Sequence, residues 1–304
     1  MGRGRRAPLV GRLVPPEPTI VDLHTHTTRS DGLLEPGALV TNAAAAGIRT
    51  LAITDHDTLA GYRDVVGPGG PPLPAGFTLL AGVEINAVGG GFDVPDGELH
   101  LVGLGVDPDD ESFEAALAEQ RGSRRRRFER MSARLRAAGL GVDAQLAGLD
   151  IAHDDALGRP TLARALVAAG FAVSVQDAFA RFVGRGGPGY VPREGLGPLE
   201  AIRAIRGAGG IPVLAHFSAA PSRRVLLREL IDAGLGGLEV HHRSFDAETV
   251  SAVGAVARDL GLLASGGTDY HGDDEPYAEA IGETWVPPAI AAGILAALEV
   301  GAVA

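Results

Sequence analysis

The sequence carries histidine and carboxylate side chains, placed directly behind short apolar runs, that could bind metal ions. His24 and His26 form a His-x-His pair behind the apolar residues 20–23. Because side chains of an extended strand alternate with a period of two, both imidazoles face the same side and can hold one ion. Asp31 follows closely enough for a loop to return a carboxylate to the same place. Mixed nitrogen and oxygen ligands suit zinc, manganese or iron.

Further candidate ligands follow later apolar runs or lie within them. In chain order they are His56, Glu84, His100, His216, Asp269 and His271. If the runs are strands of a barrel, these groups meet at the one mouth that the carboxyl ends of parallel strands share. Burying so many polar groups together is costly unless cations compensate them. Taken alone, each has a simpler interpretation, and His100, inside an apolar run, is typical of a core histidine.

The elements that would position these groups alternate along the chain. Short apolar runs separated by helical segments predict βα units around a mainly parallel sheet. Between residues 107 and 195 strand patterns give way to helical ones, which predicts a helical insertion. The predicted organisation is a basic leader over residues 1–18, a first barrel part over 19–106, an insertion that caps the substrate over 107–195, and a second barrel part over 196–304.

Composition narrows the classes of protein that this chain can represent. Its 304 residues contain no cysteine, which excludes disulfides, thiolate metal sites and cysteine nucleophiles. The net charge of -11 argues against binding nucleic acid or anionic membranes over the whole surface. The apolar runs of the leader are too short for a signal peptide or a membrane span. We therefore expect a cytoplasmic protein with no membrane partner and no stable protein partner.

Five ordered motifs resemble those of the PHP (polymerase and histidinol phosphatase) superfamily. They are Asp-Leu-His-Thr-His at 22–26, Ser-Asp-Gly at 30–32, Ile-Thr-Asp-His-Asp at 53–57, Gly-Val-Glu at 82–84 and Thr-Asp-Tyr-His at 268–271. With its helical insertion, the chain is most similar to stand-alone PHP phosphoesterases that act on nucleoside monophosphates, nucleoside 3′,5′-bisphosphates and short RNA 5′ ends. This resemblance implies an α/β fold, a distorted (β/α)7 TIM-like barrel.

The resemblance also implies a centre of two or three divalent ions, Mn²⁺, Zn²⁺ or Fe²⁺. The implied ligands are His24, His26, Glu84 and Asp269 for one ion, Asp31, His56 and His271 for a second, and Glu84, His100 and His216 for a third. Asp55 and Asp57 would shape the loop behind these ligands. By this resemblance, such ions would supply a metal-bound hydroxide as the nucleophile for phosphorus, and hydrolysis would then need no covalent enzyme intermediate.

Residues for leaving-group protonation and substrate binding are expected at five positions. His241 or His242 would protonate the leaving alcohol. Arg159, Arg185 and Arg193 would bind the substrate phosphate, because the planar guanidinium pairs with phosphate oxygens in a bidentate manner. The substrate would be a small nucleotide or short single-stranded RNA.

An arginine-rich run over residues 121–136 has two interpretations. It is either a solvated helix face or a basic rim that attracts a nucleotide or the trailing phosphates of an oligonucleotide. Two positions depart from the family pattern: Phe217 stands where proline is common after the histidine, and Thr161 where a histidine often follows Arg-Pro. These departures bear on the substrate rather than on the metal ligands.

Three other functions compete with a nucleotide phosphatase. A histidinol-phosphate phosphatase would use similar metals with a different organic pocket. A metal-dependent amidohydrolase also opens with His-x-His, but its usual lysine bridge is impossible because the chain contains no lysine. A non-catalytic, metal-dependent nucleotide-binding module is the third, although the complete ligand set argues against it.

Overall fold

The protein is described here by a computed structural model that covers residues 19–89, 97–147, 157–272 and 276–301. The predicted basic leader over residues 1–18 lies outside the described residues. In the described part of the chain, no helix is long and apolar enough to cross a membrane.

One seven-stranded sheet forms the centre of the molecule, and its strands lie side by side in chain order. The strands are β1 (Val21–Asp22), β2 (Thr50–Ile53), β3 (Thr78–Val88), β4 (Glu98–Leu104), β5 (Ile211–Leu214), β6 (Gly237–His242) and β7 (Leu263–Gly267). Each contains an apolar run that the sequence predicts as a strand. The interior of the strands is almost fully buried, as continuous apolar runs require.

One strand runs against the others. β4 is antiparallel to both β3 and β5, whereas the remaining neighbours are parallel. The start of β4, rather than its end, therefore lies at the mouth of the barrel. This reversal places His100, the third residue of β4, beside the carboxyl ends of the parallel strands.

The sheet curls until its first and last strands meet. Leu23 N donates to Gly266 O at 3.0 Å, and Asp269 N donates to His24 O at 2.8 Å. A parallel bridge between Thr25 and Tyr270 continues the pairing beyond both strands. The result is a nearly closed seven-stranded barrel, which confirms the predicted TIM-like fold.

Helices cover the barrel and form the insertion. They are α1 (Pro36–Ala45), α2 (Ala60–Val66), α3 (Glu111–Ala137), α4 (Asp143–Leu146), α5 (Arg159–Ala168), α6 (Val175–Ala178), α7 (Pro198–Gly207), α8 (Arg224–Asp232), α9 (Ala247–Leu260), α10 (Tyr277–Gly282) and α11 (Pro288–Gly301). Local chemistry sets several ends: the Asp246 side chain caps α9 by accepting from Thr249 N, and Gly261 ends that helix at a φ of 70°.

The insertion has an apolar cluster of its own. Phe128, Met131 and Leu135 on α3, spaced as the helical pattern predicts, pack with Leu162 and Leu166 of α5. The Asp110 side chain caps α3 by accepting from Phe113 N. The described part of this region is helical, as predicted, and the domain boundaries given above stay a prediction.

Candidate metal centre and substrate pocket

Glu84 lies at the centre of the cluster of candidate ligands. Its side chain is 1% exposed, and Oε2 lies 3.3 Å from His24 Nε2 and 3.2 Å from His26 Nε2. The same oxygen lies 3.2 Å from His56 Nδ1. Its other oxygen, Oε1, lies 2.8 Å from His100 Nδ1 and 3.3 Å from His216 Nε2. One buried carboxylate therefore contacts five imidazoles.

All nine side chains predicted to bind metal converge at the mouth of the barrel. Their ligand atoms form three groups, each within 4.8 Å: His24, His26, Glu84 and Asp269; His26, Asp31, His56 and His271; and Glu84, His100 and His216. These are the sets that the resemblance implies, except that His26 belongs to two of them. Ligands from the two ends of the barrel meet in the first group: His24, after β1, has its Nε2 atom 3.4 Å from Oδ1 of Asp269, after β7.

The chemistry of these side chains fits divalent ions. His24 Nε2, His26 Nε2 and Asp31 Oδ1 are buried and have no hydrogen-bond partner among the described residues. Buried polar atoms without partners are costly, and coordination to a cation would satisfy them. Imidazole and carboxylate together suit zinc, manganese or iron.

Burial opposes charge throughout the cluster, but opposite charges nearby lower the pKa of the carboxylates Glu84, Asp31 and Asp269 and raise the pKa of His24, His26, His216 and His271. His56 differs, because burial lowers its pKa well below the usual value. Burial alone would raise the pKa of Glu84, but the surrounding histidines, His56 and His24 foremost, hold it well below its usual value. Burial lowers the pKa of His271, but Asp269 and Asp31 outweigh it and raise the pKa to about 10. Without ions, the neighbouring charges therefore favour the ionised form of Glu84 and the protonated form of His271.

Three residues at the mouth adopt backbone angles that are rare outside glycine. Asp57, His216 and Asp269 have φ values of 57°, 34° and 50°. Such left-handed residues persist where the surroundings fix them, and they concentrate at functional sites. Here the turns direct two ligands, His216 and Asp269, into the cluster.

Buried carboxylates behind the ligands fix the ligands and their loops. Asp55 accepts from Thr27 N, Thr27 Oγ1 and Ser30 Oγ, each at 2.7 Å, and so shapes the loop that carries Asp31. Glu239 Oε1 lies 3.0 Å from His24 Nδ1, and Glu239 Oε2 accepts from His216 N at 2.6 Å. No motif or spacing in the sequence points to Glu239.

The two histidines at the end of β6 lie in different environments. A bulge between Glu239 and His241 shifts the register of β6 against β7. In a regular strand, His241 would lie on the same face as Glu239, two residues before it. Because of the bulge, His242 lies on that face instead. His242 lines the central cavity, with Nε2 at 3.5 Å from Asp269 Oδ2. His241 packs edge-on against Trp285, with ring centroids 6.0 Å apart.

Two adjoining cavities open at the mouth. The first has a volume of about 400 Å³ and is lined by His56, Glu84, His100, His216, His242, Ser244, Asp269 and His271. The second, of about 380 Å³, shares His100 and His216 with it and is also lined by Glu98, Arg159, Phe217 and Ser218. Both volumes lie within the range of about 300–1,000 Å³ of ligand pockets.

Two of the three arginines predicted to bind substrate meet at Glu98. The Glu98 carboxylate lies 3.1 Å from Arg193 Nε, 3.9 Å from Arg159 Nη2 and 3.9 Å from Arg127 Nη2. Burial would raise the pKa of Glu98, but these arginines lower it. Glu98 was missed, although it lies two residues before His100 and strand alternation places both on one face. Arg185 is exposed, with Nη2 beside Gly97, the residue before Glu98.

The arginine-rich run is in part a solvated helix face, since Arg126, Arg130, Arg134 and Arg136 are exposed. Arg124 and Arg127 are buried, and Arg127 Nε donates to Val191 O at 2.8 Å. Exposed members of the run form ion pairs, as between Arg130 and Glu194 at 3.0 Å. The run mainly joins α3 to the segments around it.

The chain is similar to known proteins over most of its length. The PHP domain family model matches residues 22–123. The 3′,5′-nucleoside bisphosphate phosphatase of Chromobacterium violaceum is 33% identical over 261 residues, which cover 84% of this chain and 88% of that protein. The 5′-3′ exoribonuclease Rnm of Salmonella typhimurium is 34% identical over 279 residues, covering 89% and 91%.

A solved structure has the same architecture. A protein of Bifidobacterium adolescentis, named a metal-dependent phosphoesterase, superposes with a TM-score of 0.76 at 34% identity, covering 93% of this chain and 97% of its own. The predicted family and enzyme class are thereby confirmed. The protein belongs to the PHP family of metal-dependent phosphoesterases, which are hydrolases of phosphoric ester bonds.

Proposed function

We propose that the protein removes phosphate from nucleotide-like monoesters, namely nucleoside 3′,5′-bisphosphates, AMP-like substrates or the 5′ ends of short RNA. The observation that carries this proposal is the junction of the two cavities. Three ligand groups that share Glu84 or His26 border one cavity, and an arginine borders the next. A substrate with two phosphates can place one at each.

The nine ligand residues would hold two or three divalent ions, of manganese, zinc or iron. Bound there, such ions would activate water and neutralise the phosphoryl group. Glu84 would help to hold each ion group, because its oxygens reach imidazoles of all three. His24 is held in orientation from behind by Glu239.

His242 is suited to give a proton to the leaving oxygen. In the neutral ring His242 Nδ1 accepts from Ser244 N at 3.2 Å, and in the doubly protonated ring, the form that can release a proton from Nε2, Nδ1 can donate to Ser244 Oγ at 2.7 Å. Nε2 is buried and has no hydrogen-bond partner among the described residues, and the ring lines the cavity. His242 therefore presents an N–H group to a substrate without needing to turn.

Arg159 and Arg193 would bind the second phosphate or the trailing RNA chain. Glu98 can neutralise only one of its three arginine neighbours, which leaves positive charge for an anion. Arg159 lines the second cavity, next to the metal ligands His100 and His216.

The test is a substrate panel assayed for free phosphate with added Mn²⁺ or Zn²⁺. The panel contains a 3′,5′-bisphosphate, AMP, a 5′-phosphorylated RNA tetramer and histidinol phosphate, with Glu84→Ala as the inactive control. We expect turnover of at least one nucleotide substrate, and mononucleotides from the RNA would assign exonuclease action. Turnover of histidinol phosphate alone would replace the proposal with that phosphatase. Nucleotide binding without any turnover would replace it with a binding module.

A further inference from the structure

Two arginines of α3 hold the residue that follows the candidate ligand His56. Arg124 donates to Asp57 Oδ2 from Nε at 3.1 Å and from Nη2 at 2.6 Å. Arg121 donates from Nη1 to the backbone oxygen of Asp57 at 2.8 Å. Residues three apart are neighbours on a helix face, so both arginines approach Asp57 from the same side. One helix thus fixes both the side chain and the peptide of Asp57.

Asp57 is a position where such support matters. Its φ of 57° is left-handed, a conformation that non-glycine residues adopt only at an energetic cost, although Asp and Asn tolerate it best. Asp57 N donates to Glu84 O at 3.0 Å, which joins the turn to β3. The turn is therefore held from two directions, by the metal-ligand strand and by α3.

The Arg124–Asp57 ion pair is also buried. The two side chains are 7% and 1% exposed. A buried carboxylate whose partner is removed keeps its desolvation cost without compensation, so the turn must rearrange. Because His56 is the covalent neighbour of Asp57, rearrangement would move a ring whose Nε2 lies 3.7 Å from Asp31 Oδ2.

We propose that Arg124 is a positioning residue that acts through Asp57 to hold His56 in place for the ion of the Asp31, His56 and His271 group. The helix that carries Arg124 lies in the insertion, so the insertion completes a metal site whose ligands all come from the barrel. The proposal rests on the proposed metal-dependent function, but its main readout is metal binding rather than turnover.

The experiment compares Arg124→Gln and Arg124→Lys with Arg126→Gln, using the full chain. Arg126 lies on the same helix, but it pairs with the exposed Glu119 and serves as the matched control. Mn²⁺ per chain is measured by elemental analysis after dialysis, and Mn²⁺ affinity by calorimetric titration. Circular dichroism in EDTA checks that each variant is folded.

For Arg124→Gln we expect one Mn²⁺ to bind about tenfold to a hundredfold more weakly than in the wild type. The affinity for any further Mn²⁺ should stay unchanged. The kcat on the best panel substrate falls to a similar extent and KM stays within about twofold, because Arg124 does not touch substrate. Arg124→Lys keeps the charge but not the two-point bond, so it lies between Gln and wild type. Arg126→Gln behaves as wild type.

Wild-type Mn²⁺ titration in a folded Arg124→Gln variant would overturn the proposal. So would a higher KM with unchanged metal binding, which would make Arg124 a substrate contact. If Arg124→Gln does not fold, Arg124→Lys decides, and wild-type Mn²⁺ affinity in that variant refutes the positioning role. If Arg124→Gln weakens Mn²⁺ binding as expected but the wild-type protein turns over no panel substrate, the proposed function is refuted and this inference stands.

Discussion

The carboxylate of Glu239 lies 3.0 Å from Nδ1 of His24, a residue 215 positions earlier in the chain. Its second oxygen accepts from the backbone nitrogen of His216 at 2.6 Å. Glu239 is 3% exposed, so both contacts are shielded from water. A single buried side chain on β6 therefore fixes candidate ligands from two of the three groups.

Replacing Glu239 by Gln should weaken metal binding and turnover together. Partners behind metal ligands usually contribute about tenfold to a hundredfold in affinity or activity. The amide keeps the size of the side chain but loses the charge that orients His24. Metal content after dialysis and kcat measure the change, and a variant with full metal content and full kcat would contradict this role.

Replacing Glu84 should be more damaging than replacing any single histidine. Glu84 contacts imidazoles of all three groups, whereas His100 belongs to one. We expect Glu84→Ala to lower kcat by at least about a hundredfold and His24→Ala to abolish most turnover. His100→Ala should keep more metal per chain than Glu84→Ala, and equal losses in the two would argue against the shared carboxylate.

Replacing Arg193 should affect substrate binding rather than the chemical step. Arg193→Ala is expected to raise KM about tenfold while kcat changes little, since a charge-assisted hydrogen bond contributes roughly 1.5–3 kcal/mol. Because Arg193 also contacts Glu98, thermal unfolding must be measured alongside. An unchanged KM for a bisphosphate would contradict the proposal that Arg193 binds the second phosphate.

The two adjacent histidines of β6 should differ in their contribution to turnover. His242→Gln should lower kcat about 10²-fold or more, the usual range for loss of a general acid. His241→Gln should have a much smaller effect, since His241 packs against Trp285 rather than lining the cavity. A larger loss at His241 than at His242 would show that the bulge does not select the proton donor.

The metal-free protein should lose stability as the pH rises above neutrality. The pKa of His271 is raised to about 10 in the folded protein, by Asp269 and Asp31 against the effect of burial. In unfolded chains a histidine has a pKa of about 6.5, so the stabilising contribution is complete below that pH and is lost as the pH rises towards about 10.

Thermal unfolding in EDTA between about pH 7 and pH 9 measures this loss. Divalent ions need the unprotonated imidazole, so they bind more tightly as the pH rises and should offset the decrease. We therefore expect the melting temperature to fall with pH in EDTA and to fall less with a divalent ion present. A melting temperature that rises with pH in EDTA would contradict the stabilising role of protonated His271.

Much of the metal centre could be predicted from the sequence because its ligands follow local rules. His24 and His26 share a face through strand alternation, and the family motifs contain Asp31, His56, Glu84, Asp269 and His271. His100 and His216 lie outside those motifs and are implied by the resemblance as a whole. The sequence could not predict the partners behind them. Glu239 depends on the closure of the barrel, Glu98 on the reversed direction of β4, and the Arg124–Asp57 pair on the placement of α3.

By itself, the sequence determined that nitrogen and oxygen ligands stand at the ends of strands in a barrel of the PHP type. It left open whether His241 or His242 faces the cavity, and whether the arginines of α3 face solvent or a substrate. Only the tertiary structure decided these points, through the bulge in β6 and the buried contacts of α3. The physical reason is distance along the chain: alternation and motif spacing act over a few residues, whereas register and helix packing join residues that lie tens to hundreds of positions apart.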